Sequence, residues 1–196
     1  EIHDNPAHHI RQAELVEALD PAGVAFEMVP EASEEGVQVF LETGGEPGEV
    51  GPAIGWERLG WPDWELYRGV FEAAEGAYLA GGGVSRSAIR AAYEGGALGA
   101  FGQGAAAYGL DAPLPEGEQA EAEAEMVAAH CDKLPESAAA PMVEAQRLRD
   151  ATFAHAVRRA MAAGGGAAVL VTGNGHARTD REVPLYLEAR DPGLAV

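Results

Sequence analysis

Residues 1–30 read EIHDNPAHHIRQAELVEALDPAGVAFEMVP. Asn5 and Pro6 have the form of an N-cap followed by proline at the first helical position. Ile10, Ala13, Val16 and Leu19 then recur at helical spacing, and Asp20-Pro21 ends the helix. GVAFEMVP, residues 23–30, is a short apolar run that reads as a buried strand with Glu27 near its exit. A helix feeding a buried strand is half of an α/β unit, so this reading places a first strand upstream of Glu1. The expected fold class is α/β: a central, mostly parallel sheet flanked by helices, with an additional helical subregion.

The rest of the chain extends this pattern. Residues 167–176 read AAVLVTGNGH, in which five of the first six residues are apolar. That composition predicts a fully buried strand, ended by a Gly-Asn-Gly turn that delivers His176. AYLAGGG (77–83) reads as another strand, and VPLYL (183–187) as the last. EASEEGVQVFLE (31–42) reads as a helix and TGGEPGEVGP (43–52) as a loop. Residues 54–76 hold all three tryptophans and read as two short helices. Residues 85–102 read as a helix opened by Ser85 and frayed by glycines, and 112–124 as an exposed Pro/Glu/Ala-rich connector. A long helix spans about Pro141 to Ala163. Its apolar stripe of Val143, Phe153, Val157 and Met161 runs through Gln146 and Asp150, with Arg149 at the margin. The expected organisation is one domain over 1–196, truncated at its N-terminus, with helical insertions at roughly 31–75 and 112–140.

The formal net charge is -19, and Lys133 is the only lysine among 13 basic residues. Such a surface excludes nucleic acid as a partner, because that binding rests on phosphate neutralisation. Cys131 is alone, which excludes an internal disulfide and a thiolate zinc cluster. No apolar run is long enough for a transmembrane helix. GNGHAR has phosphate-loop glycines but lacks the lysine and hydroxyl residue of a triphosphate site.

Glu1 and His3 follow the expected first strand, Glu27 ends the second and His176 follows a late one. Parallel α/β sheets place ligands at the carboxyl ends of their strands, so these four side chains are candidates for one shared rim. His3, Glu27 and His176 suit a divalent metal, and a Glu/His pair suits acid–base chemistry. Spacing alone favours separate, hydrogen-bonded structural histidines, the commoner role of a histidine at a strand end. His8 and His9 point about 100° apart on a helix and do not form a chelating pair.

EIHDNPAHH (1–9) resembles the GE-x-HDNPAHH opening of ChaN-like haem-binding proteins, within the Tiki and erythromycin-esterase superfamily. FEMVP (26–30) is similar to the family's second acidic motif, and GWPDWELYRGVFEAA (60–74) to its Trp/Tyr segment. HCDKLPESAAAPMVEAQRLRDATFAHAV (130–157) is similar to its long helical block. GNGHARTDREVPLYL (173–187) is similar to its closing Gly-x-Gly-His motif. The resemblance implies a haem-binding protein of iron uptake, periplasmic or anchored to a membrane by a lipid outside this chain, and dimeric. It also implies a pocket at the strand ends. Glu1, His3, Glu27 and His176 match the pocket motifs, and Arg149 and Asp150 match a supporting Arg-Asp. In enzyme members such Glu/His sets serve hydrolysis, with a metal or by activating water. AYLAGGGVSRSA departs from an AANLPR-like stretch of relatives, with Arg86 in place of its arginine.

Haem requires an axial ligand, and tyrosinate or histidine suits ferric iron. Tyr67, beside the tryptophans, is the first candidate and His130 the second. Arg68 or Arg86 would pair with propionates. The preferred reading is haem binding without chemistry of its own. The alternative is a metal-dependent or Glu/His-dependent hydrolase.

Overall fold

The computed structural model describes residues 1–114, 116–131 and 133–196. Pro115 of the expected connector and Asp132 of the 130–157 motif lie outside the described residues. The described chain forms two compact units: Glu1–Gly83 with His155–His176, and Val84–Ala154 with Ala177–Val196.

The first unit holds α1 (Pro6–Leu19), β1 (Gly23–Pro30), α2 (Glu34–Glu42), α3 (Val50–Ile54), α4 (Trp64–Glu72) and β2 (Tyr78–Gly83). α5 (Arg86–Gly95), α6 (Ala97–Phe101) and α7 (Glu116–Ala129) follow in the second unit. α8 (Glu136–Gly164) gives its residues up to Ala154 to the second unit and those from His155 to the first. β3 (Ala168–Val171) belongs to the first unit and α9 (Val183–Arg190) to the second. Among the described residues, no helix is long and apolar enough to cross a membrane.

The sheet is parallel, in the order β2-β1-β3. Gly23 lies opposite both Tyr78 and Ala168, and Phe26 opposite both Gly81 and Val171. The expected α/β class and the three internal strands are present, but β3 (Ala168–Val171) is an edge strand buried only at Val171, not the fully buried strand expected. β1 is central and buried on both faces, which is why it reads as an uninterrupted apolar run. On one side Phe26 stacks on Phe71 at 4.0 Å, and Trp56 and Trp64 meet edge-on at 5.0 Å. Val24, Met28, Val37, Val70 and Leu79 complete this core.

Gly23 is where α8 crosses the sheet. A Cβ built there would lie 2.5 Å from the backbone oxygen of Ala160. Backbone cannot yield as a flexible side chain does. Gly23→Ala is therefore expected to lower stability by about 3 kcal/mol, read from the urea unfolding midpoint.

β2 is an edge strand whose outward polar groups are occupied by side chains. Gln38 Nε2 donates to Leu79 O at 2.7 Å, and Arg159 Nη2 donates to Gly81 O at 2.6 Å. Gly81 N–H donates to Glu34 Oε2 at 2.9 Å, while Arg159 Nη2 also bonds that oxygen at 2.9 Å. Glu34 and Gln38 sit one helical turn apart on α2, so both reach the same edge.

In the second unit Ser85 caps α5 as expected, accepting from Ala88 N at 3.2 Å. Gly96, at φ 92°, then breaks the expected single helix into α5 and α6. Glu144 on α8 accepts from Ala97 N at 2.8 Å and from Arg147 at 2.7 Å.

Three expectations are corrected. VPLYL is helical, not a strand: Val183, Tyr186 and Leu187 are buried, at the i, i+3, i+4 spacing, and Pro184 sits in the first turn where it is tolerated. Five residues are too few to separate periods of 2 and 3.6. Most of the expected connector at 112–124 is α7, because its Glu, Gln and Ala are strong helix formers. Within the expected loop at 43–52, a 3₁₀ turn at Pro47–Glu49 leads into α3.

Candidate functional site

The four residues expected at the strand ends meet in the first unit. Glu1 N donates to Thr172 O, and Asn174 N donates to Glu1 O, both at 3.0 Å. These two bonds flank Gly173 in the manner of a parallel ladder and seat Glu1 beside the end of β3. A tight turn closed by Asn5 N and Ile2 O at 3.0 Å then starts α1 and keeps His3 on the same rim.

Glu27 leaves β1 toward β3. Its Oε2 accepts from Thr172 Oγ1 at 2.7 Å and from Gly173 N at 2.8 Å. His176 ends a 3₁₀ turn at Asn174–His176, with Nε2 at 3.6 Å from Glu27 Oε1. Both side chains are buried. The His3 ring lies over Gly173: a Cβ there would stand 3.1 Å from His3 Cε1 and 3.2 Å from Nε2. A side chain at Gly173 would require the His3 ring to shift by a few tenths of an ångström.

Glu1 is the hub. Its side chain has no solvent exposure, whereas that of His3 is 37 % exposed. Glu1 Oε1 faces His3 Nδ1 at 2.7 Å and accepts from Tyr67 Oη at 2.9 Å. His9 Nδ1 lies 3.1 Å from Glu1 Oε2, close enough for charge attraction but not aligned as a hydrogen bond. Burial alone would raise the pKa of Glu1. The His3 hydrogen bond, the charge of His9 and the Tyr67 hydroxyl outweigh it and hold the carboxyl below its usual range. Burial first, then the Glu1 charge, push the Tyr67 phenol far above its ordinary value.

Tyr67 is therefore placed differently from expectation. It is buried, packed against Trp56 at 4.9 Å and His9 at 4.2 Å, and its hydroxyl is committed to Glu1. Burial and the adjacent Glu1 charge both favour the protonated phenol over the tyrosinate that ferric iron would take. Arg68 lines a cavity of about 540 Å³ with Trp56, Arg58, Asp63 and Trp64, and its Nε donates to Glu65 at 3.1 Å.

His130, Arg86, Arg149 and Asp150 belong to the second unit. His130 is exposed at the end of α7, with Nδ1 2.7 Å from Met126 O. Arg86 is exposed at the start of α5. Asp150 is buried. Burial raises the Tyr186 pKa well above normal, and the charge of Asp150 adds to this while Arg147 opposes it.

Among the described residues, no group of three or more His, Cys, Asp or Glu is arranged to hold a metal ion. The expected metal set of His3, Glu27 and His176 does not form one. Glu27 Oε2 is occupied by Thr172 and Gly173, and Glu1 Oε1 by His3 and Tyr67.

Sequence reasoning missed His9, Thr172 and the pairing of Tyr67 with Glu1. A signal for His9 existed. It shares its helix face with Ala13 and Val16, at the i, i+4, i+7 spacing of the buried stripe.

The rim thus offers an imidazole, His3, backed by a buried carboxylate and open to solvent. Such a nitrogen can take a proton or bind an electrophile.

A family model described as "Haem-binding uptake, Tiki superfamily, ChaN" matches residues 1–187. No curated protein matches the chain. Among solved structures, it is similar to the ChaN of Campylobacter jejuni, whose structure is described as "Cofacial heme binding to ChaN of Campylobacter jejuni". The TM-score is 0.69 and the identity 18%, over 96% of this chain and 74% of that one. At that identity the likeness is one of fold.

Proposed function

This chain belongs to the ChaN family of haem-binding uptake proteins in the Tiki superfamily, and from that premise we propose that it binds haem in the service of iron uptake. The observation that carries the reading is the family match, which spans nearly the whole chain. Haem binding outside the cytoplasm fits a periplasmic protein or a lipid-anchored one. The Campylobacter protein is described as binding haem cofacially. A cofacial pair needs two binding faces, and on this reading two copies of the chain supply one each.

Haem when bound supplies a ferric iron that takes an axial ligand from the protein. Of five tyrosines, Tyr67, Tyr108 and Tyr186 are buried, and Tyr78 donates its hydroxyl to Glu34. Tyr93 on α5 is 39 % exposed. Arg86, Ile89 and Arg90 share its helix face, at i-7, i-4 and i-3. Exposed Leu98 follows on α6. An oxygen ligand, apolar flanks and a guanidinium for a propionate suit a porphyrin. Tyr93 therefore replaces Tyr67 as the tyrosine that would hold haem, and His130 is the histidine alternative.

Titration of the protein with ferric haem tests this reading. A saturable Soret shift is expected, weakened about tenfold or more by Tyr93→Phe and unchanged in position by Tyr67→Phe. A shift removed by His130→Ala but not by Tyr93→Phe keeps haem and moves the ligand. Absence of any shift at micromolar haem overturns the reading.

One observation favours a second reading, hydrolysis. His3 is held by Glu1 as an acid–base dyad is, beside Glu27 and His176. A hydrolase screen in which His3→Ala abolishes turnover without loss of fold would favour it. No turnover in either protein would remove it.

A further inference from the structure

We infer that His9 carries a proton on each ring nitrogen and neutralises Glu1, so that His3 stands at the rim as a neutral Nδ1–H imidazole with a bare Nε2. This goes beyond haem binding and does not depend on it. It assigns His9 and Tyr67 as positioning residues for His3.

The argument rests on which neighbours can accept. His9 Nε2 lies 2.9 Å from the backbone oxygen of His3, which accepts only, so Nε2 bears hydrogen. His9 Nδ1 lies 3.1 Å from Glu1 Oε2 and 3.2 Å from Gln12 Oε1. The Gln12 amide can turn to offer its nitrogen, but a carboxylate cannot. A bare nitrogen lone pair against a carboxylate oxygen, with both side chains buried, is a repulsion without solvent to relieve it. A proton on Nδ1 turns that contact into an attraction. Glu1 Oε2 has no other hydrogen-bond donor among the described residues.

The remaining protons follow. Tyr67 Oη has Glu1 Oε1 at 2.9 Å and His3 O at 3.3 Å, both acceptors, so it donates. His3 Nδ1, at 2.7 Å from the same Glu1 oxygen, must also donate. The Glu1 charge is balanced by His9, so His3 needs no second proton to balance it. The His3 ring is 37 % exposed and its Nε2 lies over Gly173, on the side of Glu27, whose Oε2 already accepts from Thr172 Oγ1 and Gly173 N. The result is a Lewis-basic nitrogen, fixed in tautomer by a buried ion pair behind it.

The groups facing this pair come from several elements. His3, Glu1 and Asp4 precede α1, Gln12 lies on α1, Tyr67 on α4 and Glu27 on β1. His9 itself has acceptors at both ring nitrogens and lies within charge contact of Glu1.

The test is ¹⁵N–¹H correlation spectroscopy of the protein labelled with ¹⁵N-histidine, near neutral pH. His9 is expected to show two protonated nitrogens, and His3 a protonated Nδ1 with a pyridine-type Nε2. The reverse assignment, a singly protonated His9 beside a doubly protonated His3, overturns the inference from the wild-type spectrum alone. His9→Gln removes the counter-charge, and the His3 Nε2 signal is then expected to move to the protonated type. A His9→Gln protein that folds, yet leaves His3 neutral, also overturns it. As a chemical readout, acylation of His3 by diethyl pyrocarbonate is expected to slow about tenfold in His9→Gln, because only the neutral ring reacts. Haem failing to bind would leave all of these outcomes unchanged.

Discussion

Replacing Glu1 with glutamine is expected to lower stability by about 3–5 kcal/mol, read as a fall in the urea midpoint at unchanged slope. The carboxylate is fully enclosed and collects three donors: His3 Nδ1, the Tyr67 hydroxyl and, at charge-contact distance, His9 Nδ1. A glutamine keeps the volume but carries one acceptor instead of two. Its amide nitrogen would face a donor whichever way it turned, and the His9 charge would be left buried without a partner. Glu1→Leu, tried beside it, is expected to be at least as harmful, because it strands Tyr67 and both histidines.

The same group sets an acid limit. Its folded-state pKa lies below the ordinary value of 4.5, so the folded protein binds fewer protons than the unfolded chain near that pH. The stability it contributes is complete above the ordinary value. It is lost as pH falls through the folded-state pKa. Glu34 behaves alike. Burial raises its pKa, and Arg159, Gly81 N–H and Tyr78 together lower it further than burial lifts it. Stability is therefore expected to fall steeply on the acid side of 4.5 in the wild type, and less steeply in Glu1→Gln. Parallel pH profiles of the two proteins would contradict the assignment.

Arg159→Ala is expected to be the second most damaging change, by about 3 kcal/mol, with association that grows with protein concentration. Arg159 binds Glu34 through two nitrogens, reaches Glu31 at 3.1 Å, and covers the outward carbonyl of Gly81. Without it the Glu34 carboxylate keeps only Gly81 N and Tyr78, and the middle of an edge strand opens to other chains. Light scattering separates the two effects. Lost stability with no association would show that Gln38 and Glu34 protect the edge by themselves.

Much of the frame was legible in the sequence. β1 announces itself because a central strand of a parallel sheet is buried on both faces and leaves an unbroken apolar run. β3 carries a similar run although, as an edge strand, it is only partly buried before Val171. The convergence of Glu1, His3, Glu27 and His176 was legible too, since parallel strands deliver whatever follows them to one rim. The Gly-Asn-Gly sequence signalled a sharp turn or a backbone lying close to a ligand; at Gly173 the space a Cβ would fill is bounded by the His3 ring. α9 was not legible, because a five-residue apolar run fits both periods. α7 was not legible because prolines just before Glu116 break helical periodicity while the Glu, Gln and Ala behind them carry no apolar stripe.

What local pattern could not carry was the hub itself. Tyr67 stands 66 residues from Glu1, and no spacing links a phenol on α4 to a carboxylate at the end of β3. The same holds for Arg159 and Glu34, which are 125 residues apart. The tryptophans beside Tyr67 suggested a surface for a flat ligand; Trp56 and Trp64 pack inward on Phe71, whereas the partly buried Trp61 lies edge-on to the His3 ring. The sequence by itself determined the strands, the caps and the rim, because these follow from burial and backbone preference along the chain. Which buried groups share a proton, and which tyrosine reaches solvent, were decided by tertiary structure alone, because enclosure by distant residues sets both.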